Sequence, residues 1–291
     1  MVGLPMAQAI SQKAMVGLPM AQAISQRAMV GLPIAQAISQ KAMVGLPIAQ
    51  AISQEGAPNI IAELKKSSPC EGILREDFDP IQISRLYQNA GVSAISILTE
   101  EKYFSGKISY LNQVRKIVTL PILRKDFIFE PYQLYESKFF GADAVLLIAE
   151  VLKNGRLSQF LSLSKRLELD CLVEVGNLDD LRYALDEGAQ IIGINNRNLH
   201  TLEIDGRLAP ALMKHIPPEI IVVAESGVKT HRDYLSYKKL KVSALLIGSA
   251  FMKADDIKKK IKEIVEGGKQ RTRISPSRKK LGKTPVRKNP K

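Results

Sequence analysis

The chain has little cysteine, no long apolar run and no acidic residue near its carboxyl end. Its two cysteines, Cys70 and Cys171, lie far apart in 291 residues, which excludes a disulfide framework and a CxxC metal ribbon. No apolar run approaches the roughly 20 residues that cross a bilayer, and the amino terminus lacks the pattern of a signal peptide. We therefore expect a protein of the reducing cytoplasm that has no membrane partner.

The net charge of +13 is concentrated at one end of the chain. Residues 267–291 contain ten Lys or Arg and no acidic residue, which predicts a basic, disordered tail that makes at most weak, salt-sensitive contact with polyanions. Residues 1–55 carry a net +2, so the region between these segments is left with only +1. Its charge therefore does not indicate nucleic acid as a required partner.

Residues 1–56 are four near-copies of one 14-residue unit, which reads MVGLPIAQAISQKA in its third copy. Proline stands where a helix could begin and glycine just past where it could end, so each unit has the pattern of a helix of about ten residues. Such helices are marginal alone, and the period is shorter than that of common solenoids. A weakly ordered extension is favoured over a helical array that binds a partner.

The region 57–266 alternates eight apolar runs with stretches of helical periodicity. The runs are rich in Ile, Val and Leu, and the stretches between them include PIQISRLYQNAG and LDDLRYALDEGA. Apolar strands alternating with helices indicate a parallel sheet covered on its faces, and eight units predict an α/β fold with a single (β/α)8 TIM barrel. An open, doubly wound sheet is less favoured, because no G-x-G-x-x-G motif follows the first run.

Charged residues close several of these runs. The first run ends in Glu63 and Lys65, the third in Lys125 and the fifth in Glu174. Side chains alternate along a strand, so Glu63 and Lys65 face one side, and packing of Val173 against helices turns Glu174 inward. Because the carboxyl ends of barrel strands converge on the active site, the sequence predicts a carboxylate among lysines at the barrel mouth.

The last two runs end in the small residues of AESG and LIGSA. Small residues leave backbone N–H groups exposed at these strand ends, which are the usual barrel site for a phosphate dianion. Asn195 and Arg197 share a face at the end of the sixth run. Together these features predict a small phosphorylated molecule as the substrate.

The residues from Asn59 to Ile264 resemble the indole-3-glycerol phosphate synthase family of tryptophan biosynthesis. Motifs such as IIAELKKSSP, LPILRKDFI, IIGINNRNL and VVAESGV occur in the family's order and spacing. The resemblance implies a lyase that converts 1-(2-carboxyphenylamino)-1-deoxyribulose 5-phosphate to indole-3-glycerol phosphate, carbon dioxide and water. It implies no cofactor and no metal, and the three histidines lack the spacing of metal ligands.

The same resemblance implies a role for each polar strand end. Ring closure needs a proton donor at the ketone oxygen, and Lys125 matches the family's general acid. Glu174 matches the general base, and Glu63 with Lys65 matches a pair that positions substrate and assists proton transfer. How Lys65 and Lys125 divide the acid steps stays open. Substrate-binding positions are Asn195, Arg197, Ser226 and Phe104, and phosphate-binding positions are Ser68, Gly227, Gly248 and Ser249.

The chain departs from the family pattern in two places near the site. Cys70 and Glu71 replace a Ser and a Lys in the first loop, and the negative charge could weaken substrate binding. The repeats stand where the family carries helices that close over the barrel, so either they substitute for those helices or affinity suffers.

Three other interpretations remain to be weighed. A phosphoribosylanthranilate isomerase would use an Asp and a Cys, and the Lys125 and Glu174 pairing argues against it. Catalysis by Cys70 has no nearby partner in sequence to activate the thiol. From another class, the chain could be a catalytically impaired barrel kept as a scaffold, with the repeats and the tail as interaction segments. The sequence leaves the oligomeric state undefined.

Overall fold

The computed structural model describes residues 47–53 and 58–267. Eight parallel strands close into a barrel in chain order, and helices lie between successive strands. The predicted (β/α)8 barrel is confirmed, and the open sheet is wrong. The strands are β1 (Asn59–Leu64), β2 (Ala94–Leu98), β3 (Ile122–Lys125), β4 (Ala144–Ile148), β5 (Asp170–Val175), β6 (Ile191–Asn195), β7 (Ile221–Glu225) and β8 (Ala244–Ile247).

The helices begin at the signals that the sequence provides. The side chain of Asp79 accepts hydrogen bonds from two N–H groups of the second helix, and Thr230 forms a capping box with Asp233. A two-stranded hairpin, Ser67–Ser68 with Gly72–Ile73, follows β1. The helices are α1 (Ile48–Ile52), α2 (Pro80–Asn89), α3 (Ser109–Arg115), α4 (Tyr132–Phe139), α5 (Arg156–Arg166), α6 (Leu178–Asp186), α7 (Leu208–Leu212), α8 (His231–Lys239), α9 (Ser249–Met252) and α10 (Ile257–Glu266), with a 3-10 turn at Met213–His215.

Side chains of each strand divide between two apolar layers, one inside the barrel and one beneath the helices. In β5, Leu172 belongs to the inner layer, whereas Val173 and Val175 are buried in the outer one. Glu174 shares the inward face with Leu172, as the period of two predicts. The barrel is therefore a packed core whose carboxyl end carries the polar residues.

Helix α1 covers the opposite, amino end of the barrel. It belongs to the fourth repeat unit, and both Ile48 and Ile52 are 1% exposed against the inner apolar layer. The N–H of Ala49 donates to Oδ2 of Asp170 at the start of β5, over 3.0 Å, and Nδ2 of Asn59 donates to the carbonyl of Ile52, also over 3.0 Å. The helix follows Pro47 as predicted, but it has five residues instead of about ten.

Residues 1–46, 54–57 and 268–291 lie outside the described residues. The expectations of a weakly ordered extension over 1–56 and of a disordered tail over 267–291 fall mostly on them, and the domain boundaries stay predictions. Of the helices in the described ranges, none has the length and apolar character needed to span a bilayer. The cytoplasmic location also stays a prediction.

Candidate active site

Lys125, the last residue of β3, lies between two buried carboxylates. Its Nζ is 3.2 Å from Oε2 of Glu174 on β5 and 3.1 Å from Oε2 of Glu225 on β7. The two glutamate side chains are 4% and 2% exposed, so the ammonium provides charge that water cannot. The predicted lysine and carboxylate are therefore in contact, together with a second carboxylate to which the sequence analysis assigned no role.

The residues on either side of Lys125 face the helices. Arg124, which is 3% exposed, donates to Oδ2 of Asp126 over 3.0 Å and to Oγ1 of Thr99 over 3.1 Å. It also pairs with Glu136 of α4 at 2.8 Å. Three charged residues thus close β3 because alternation sends Arg124 and Asp126 into a satisfied outer network and Lys125 into the barrel mouth.

Glu63 and Lys65 form a second ion pair at the end of β1. Nζ of Lys65 is 2.9 Å from Oε2 of Glu63, which confirms the shared face predicted for the two residues. The carboxylate lies against Gly248, where any Cβ would overlap Oε2 of Glu63. Gly193 on β6 gives the same clearance to Oε1 of Glu225. These two glycines therefore allow the carboxylates to lie close to the strands.

Asn195 links Glu174 to the loops that follow β6 and β7. Its Nδ2 donates to Oε1 of Glu174 over 3.0 Å. Its Oδ1 accepts from Oγ of Ser226 over 2.9 Å and from the N–H of Arg197 over 3.0 Å. Because the amide is held from both sides, one oxygen of Glu174 is fixed and the other is left for Lys125.

The protein affects the protonation of Lys125 and of Glu225 differently. Burial acts to lower the pKa of Lys125, but the carboxylates of Glu225, Glu174 and Glu63 outweigh it and raise the pKa above its usual value. Burial raises the pKa of Glu225 to about 7, although the charge of Lys125 opposes the rise. Among the described residues, Oε1 of Glu225 is also one of three buried side-chain oxygens without a hydrogen-bond partner. Lys125 is therefore an ammonium, and Glu225 is the group that exchanges a proton near neutral pH.

A cavity of about 640 Å³ opens at the carboxyl end of the barrel, within the size range of small-molecule sites. Glu174 lines a smaller adjoining cavity of about 50 Å³ instead. Ser68 is not among the lining residues of the large cavity; its Oγ accepts the N–H of Glu71 within the first loop. The other ten predicted residues all line the large cavity, namely Lys125, Lys65, Glu63, Asn195, Arg197, Ser226, Phe104, Gly227, Gly248 and Ser249.

The smaller cavity has an apolar wall beside the acid–base group. Phe104 and Phe127 lie with their ring centroids 6.4 Å apart, and Leu146 and Leu199 complete the lining. Phe104 borders both cavities. The arrangement presents an apolar surface next to Lys125.

The side of the large cavity formed by β7 and β8 is suited to an anion. Ser226 and Gly227 have φ values of 63° and 95°, a conformation that strains a serine and that clusters at functional sites. Gly248 and Ser249 follow β8. A residue that the sequence analysis missed, Lys253, extends this side, and it lies one helical turn beyond Ser249.

The first loop brings Glu71 to this same cavity and Cys70 to Arg197, which lines it. Nζ of Lys253 is 2.7 Å from Oε1 of Glu71, and Oγ of Ser249 donates to Oε2 of Glu71 over 2.9 Å. The bond from Lys253 lowers the pKa of Glu71 below its usual value. Sγ of Cys70 lies 3.4 Å from Nη1 of Arg197. A carboxylate of the protein thus already bonds to a predicted phosphate contact.

Glu225 was the larger omission from the sequence analysis. Its direction was available from the alternation used for Glu174, because Val223 is buried in the inner layer and Glu225 stands two residues later. No group of three or more His, Cys, Asp or Glu that could hold a metal occurs among residues 47–53 and 58–267.

Comparisons with known proteins identify the family of this chain. The sequence pattern of the family described as indole-3-glycerol phosphate synthase matches residues 22–264. The chain belongs to the indole-3-glycerol phosphate synthase family. Its reaction is therefore the family's ring closure in tryptophan biosynthesis, and it is a carboxy-lyase.

Curated members of the family cover most of the barrel. The indole-3-glycerol phosphate synthase of Caldanaerobacter subterraneus subsp. tengcongensis is 49% identical over 212 residues, which is 73% of this chain and 82% of that protein. The synthase of Acetivibrio thermocellus is 48% identical over 208 residues, 72% of this chain and 80% of that protein.

Solved structures with low sequence identity share the fold. KGPDC from Streptococcus mutans superposes with a TM-score of 0.57 at 13% identity, over 73% of this chain and 97% of that one. Thiamine phosphate pyrophosphorylase from Pyrococcus furiosus gives 0.53 at 17% identity, over 72% and 94%. These similarities show the barrel fold and nothing about function.

Proposed function

We propose that Lys125 is the general acid of the ring closure and Glu174 the general base of the later proton transfers. The observation that carries this is the contact of Nζ of Lys125 with Oε2 of Glu174 at the mouth of the barrel. Decarboxylating ring closure requires a donor at the ketone oxygen of the substrate, and the raised pKa of Lys125 keeps its ammonium protonated before the step, although it does not make it a stronger acid. Glu225 contacts the same ammonium from the other side and partly neutralises its positive charge.

The two ends of the substrate have two different surfaces to lie against. The anthranilate ring of 1-(2-carboxyphenylamino)-1-deoxyribulose 5-phosphate packs against Phe104, which borders both cavities. The phosphate lies against Gly227, Gly248 and Ser249, where backbone N–H groups and strand ends favour a dianion. The ribulose carbons then lie between these positions, where Asn195 and Arg197 reach their hydroxyl groups.

Lys65 has a different part in this proposal. Lys65 and its partner Glu63 lie at the end of β1, which β2 separates from β3, so the Lys65 ammonium reaches the substrate from another direction than Lys125. We assign Lys65 to holding the substrate's charged groups and Glu63 to keeping Lys65 in place. Ser68 stays a predicted phosphate contact that requires the first loop to turn inward.

Turnover of this substrate by the full chain tests the proposal. The chain contains no tryptophan, so the fluorescence of the indole product is free of a tryptophan background. We expect Lys125→Ala to lower kcat by about 10²- to 10⁴-fold, the usual contribution of a general acid. Lys138→Ala is the matched control, because Lys138 pairs with Glu168 on the outer helices.

Wild-type turnover that collapses only in Lys125→Ala supports the assignment. A folded wild type without turnover contradicts it and favours the scaffold interpretation. Equal activity of Lys125→Ala and Lys138→Ala removes Lys125 from the acid role.

A further inference from the structure

The amino end of the barrel is closed by residues of the fourth repeat unit that recur in the third. Ile48 and Ile52 pack into the inner apolar layer, and the N–H of Ala49 bonds to Asp170. The contact is made by two side chains and two backbone groups, the N–H of Ala49 and the carbonyl of Ile52, so it needs only an Ile-Ala-x-x-Ile pattern after a proline. It does not depend on the particular place of these residues in the chain.

The third unit carries the same docking residues as the fourth. Residues 29–40 and 43–54 are identical in sequence, so Ile34 and Ile38 correspond to Ile48 and Ile52. The first two units keep the second isoleucine but have methionine at the first position. No difference in side chains therefore favours the fourth unit over the third.

What separates the two units is the length of their tether. Six residues, 53–58, join Ile52 to β1, whereas twenty residues, 39–58, would join Ile38 to it. The entropy of closing a loop grows slowly with its length, so the nearer unit is favoured by only about sixfold. A tethered segment also has an effective concentration in the millimolar range, which favours a unit of the same chain over one from a second chain.

We propose that the amino end of the barrel is a docking surface for a repeat unit, and that the third unit, residues 29–42, takes the place of the fourth when the fourth is lost. The third unit is then an alternative segment that can pack on the amino end of the barrel. The barrel keeps its closed amino end under substitutions that disable any single copy.

Full-length variants test this substitution of one unit for another. The first variant carries Ile48→Asp with Ile52→Asp, the second Ile34→Asp with Ile38→Asp, and the third all four changes. The urea midpoint reports stability, and hydrogen exchange reports protection of the amides in residues 29–42. The same set with Ala in place of Asp serves if the aspartates prevent folding.

We expect the urea midpoint of the second variant to match that of the wild type. The midpoint of the first variant should fall by only a small part of the fall seen in the third. Amides of residues 29–42 gain protection in the first variant alone. Losses that simply add, or no new protection in residues 29–42, overturn the proposal. Protection that appears only at high protein concentration overturns it as well, because a second chain is then the donor.

A second observation concerns the side of the large cavity formed by β7 and β8. The inference drawn from it rests on the proposed phosphate position. Glu71 accepts a hydrogen bond from Ser249 and an ion pair from Lys253, so its carboxylate makes the bonds that a phosphate oxygen would make. Residues 71 and 253 are 182 apart in sequence, and the contact is made by side-chain atoms only. The lowered pKa of Glu71 agrees with an anion that is well bound there.

We infer that Glu71 competes with the substrate phosphate for Ser249 and Lys253, and that Lys253 is a phosphate-binding residue released to the substrate when Glu71 is displaced. Binding of phosphate then requires the first loop to withdraw its carboxylate. Glu71 thereby sets how tightly the cavity holds a phosphorylated molecule.

Calorimetric titration of the full chain with inorganic phosphate tests this inference without any turnover. Glu71→Gln keeps the size of the side chain and removes the charge, and we expect about two- to fivefold tighter binding, the range of a partly exposed ion pair. Glu76→Gln, an exposed glutamate of the same segment, makes the same change in net charge and should bind as the wild type does. Lys253→Met should weaken binding in the Glu71→Gln background.

Equal or weaker phosphate binding by Glu71→Gln overturns the inference, and so does an equal gain in Glu76→Gln. These outcomes are distinct from failure of the proposed function, which is read from turnover and not from phosphate binding.

Discussion

The two ends of strand β5 show how one element serves two purposes. At its amino end, Asp170 accepts the N–H of Ala49 and helps to hold the closing helix. At its carboxyl end, Glu174 shares Lys125 with a second buried carboxylate. The first contact is a satisfied pair between backbone and side chain, whereas the second crowds like charges that substrate must rearrange. We conclude that along β5 a structural contact and the proposed chemistry lie at opposite ends of the strand.

The largest effect should follow from neutralising the carboxyl end of β5. Glu174→Gln removes the proposed general base without changing its size, so kcat should fall by about 10²- to 10⁴-fold. Glu168→Gln, an exposed residue of the outer surface, is the control and should leave kcat unchanged. Retained turnover in Glu174→Gln would move the base to another residue.

The stretch Arg124 to Asp126 sharpens the comparison within three residues. Arg124→Met removes the guanidinium that pairs with Asp126 and Glu136 in a buried network, so the free energy of unfolding should fall by about 3 to 5 kcal/mol. Urea denaturation measures this. Arg182→Met, which breaks an exposed pair with Asp179, should cost less than about 1 kcal/mol. Similar losses in both variants would contradict the division between the two faces of β3.

The pH dependence of stability should reveal the crowded charges at the carboxyl end. Because the pKa of Glu225 is raised to about 7 from 4.5, the folded state keeps a proton that the unfolded state loses between these values. The stabilising effect of that proton is complete below pH 4.5 and is lost as the pH rises through 7.

From pH 5 to 8 the wild type should therefore lose roughly 2 to 3 kcal/mol relative to Glu225→Gln, which does not titrate there. Parallel stability curves for the two proteins would show that Glu225 is ionised throughout.

The smallest effect belongs to the amino end of β5. Asp170→Ala removes the acceptor for Ala49, and the loss of one partly buried hydrogen bond should lower the free energy of unfolding by about 1 kcal/mol. Turnover by the folded fraction should not change. A tenfold loss of kcat in this variant would mean that closure of the amino end also shapes the active site.

Periodicity in the sequence predicts the strands, and the residues at the strand ends predict most of the cavity lining. Alternation placed Glu174 inward, and the same rule would have placed Glu225. Contacts between distant segments were another matter. Nothing in the letters near Glu71 indicates Lys253, and a five-residue apolar helix does not name the surface on which Ile48 and Ile52 pack. Such pairings are set by the closure of the barrel and not by local pattern.

The most direct test of this account compares kcat and the free energy of unfolding for Glu174→Gln and Asp170→Ala in one set of full-length preparations. The two residues lie four apart on one strand, so the two variants change the same element at its two ends. The account predicts that Glu174→Gln loses turnover while it stays folded, and that Asp170→Ala loses stability while its folded fraction keeps turnover. Loss of both properties together in either variant would contradict the separation of the two ends.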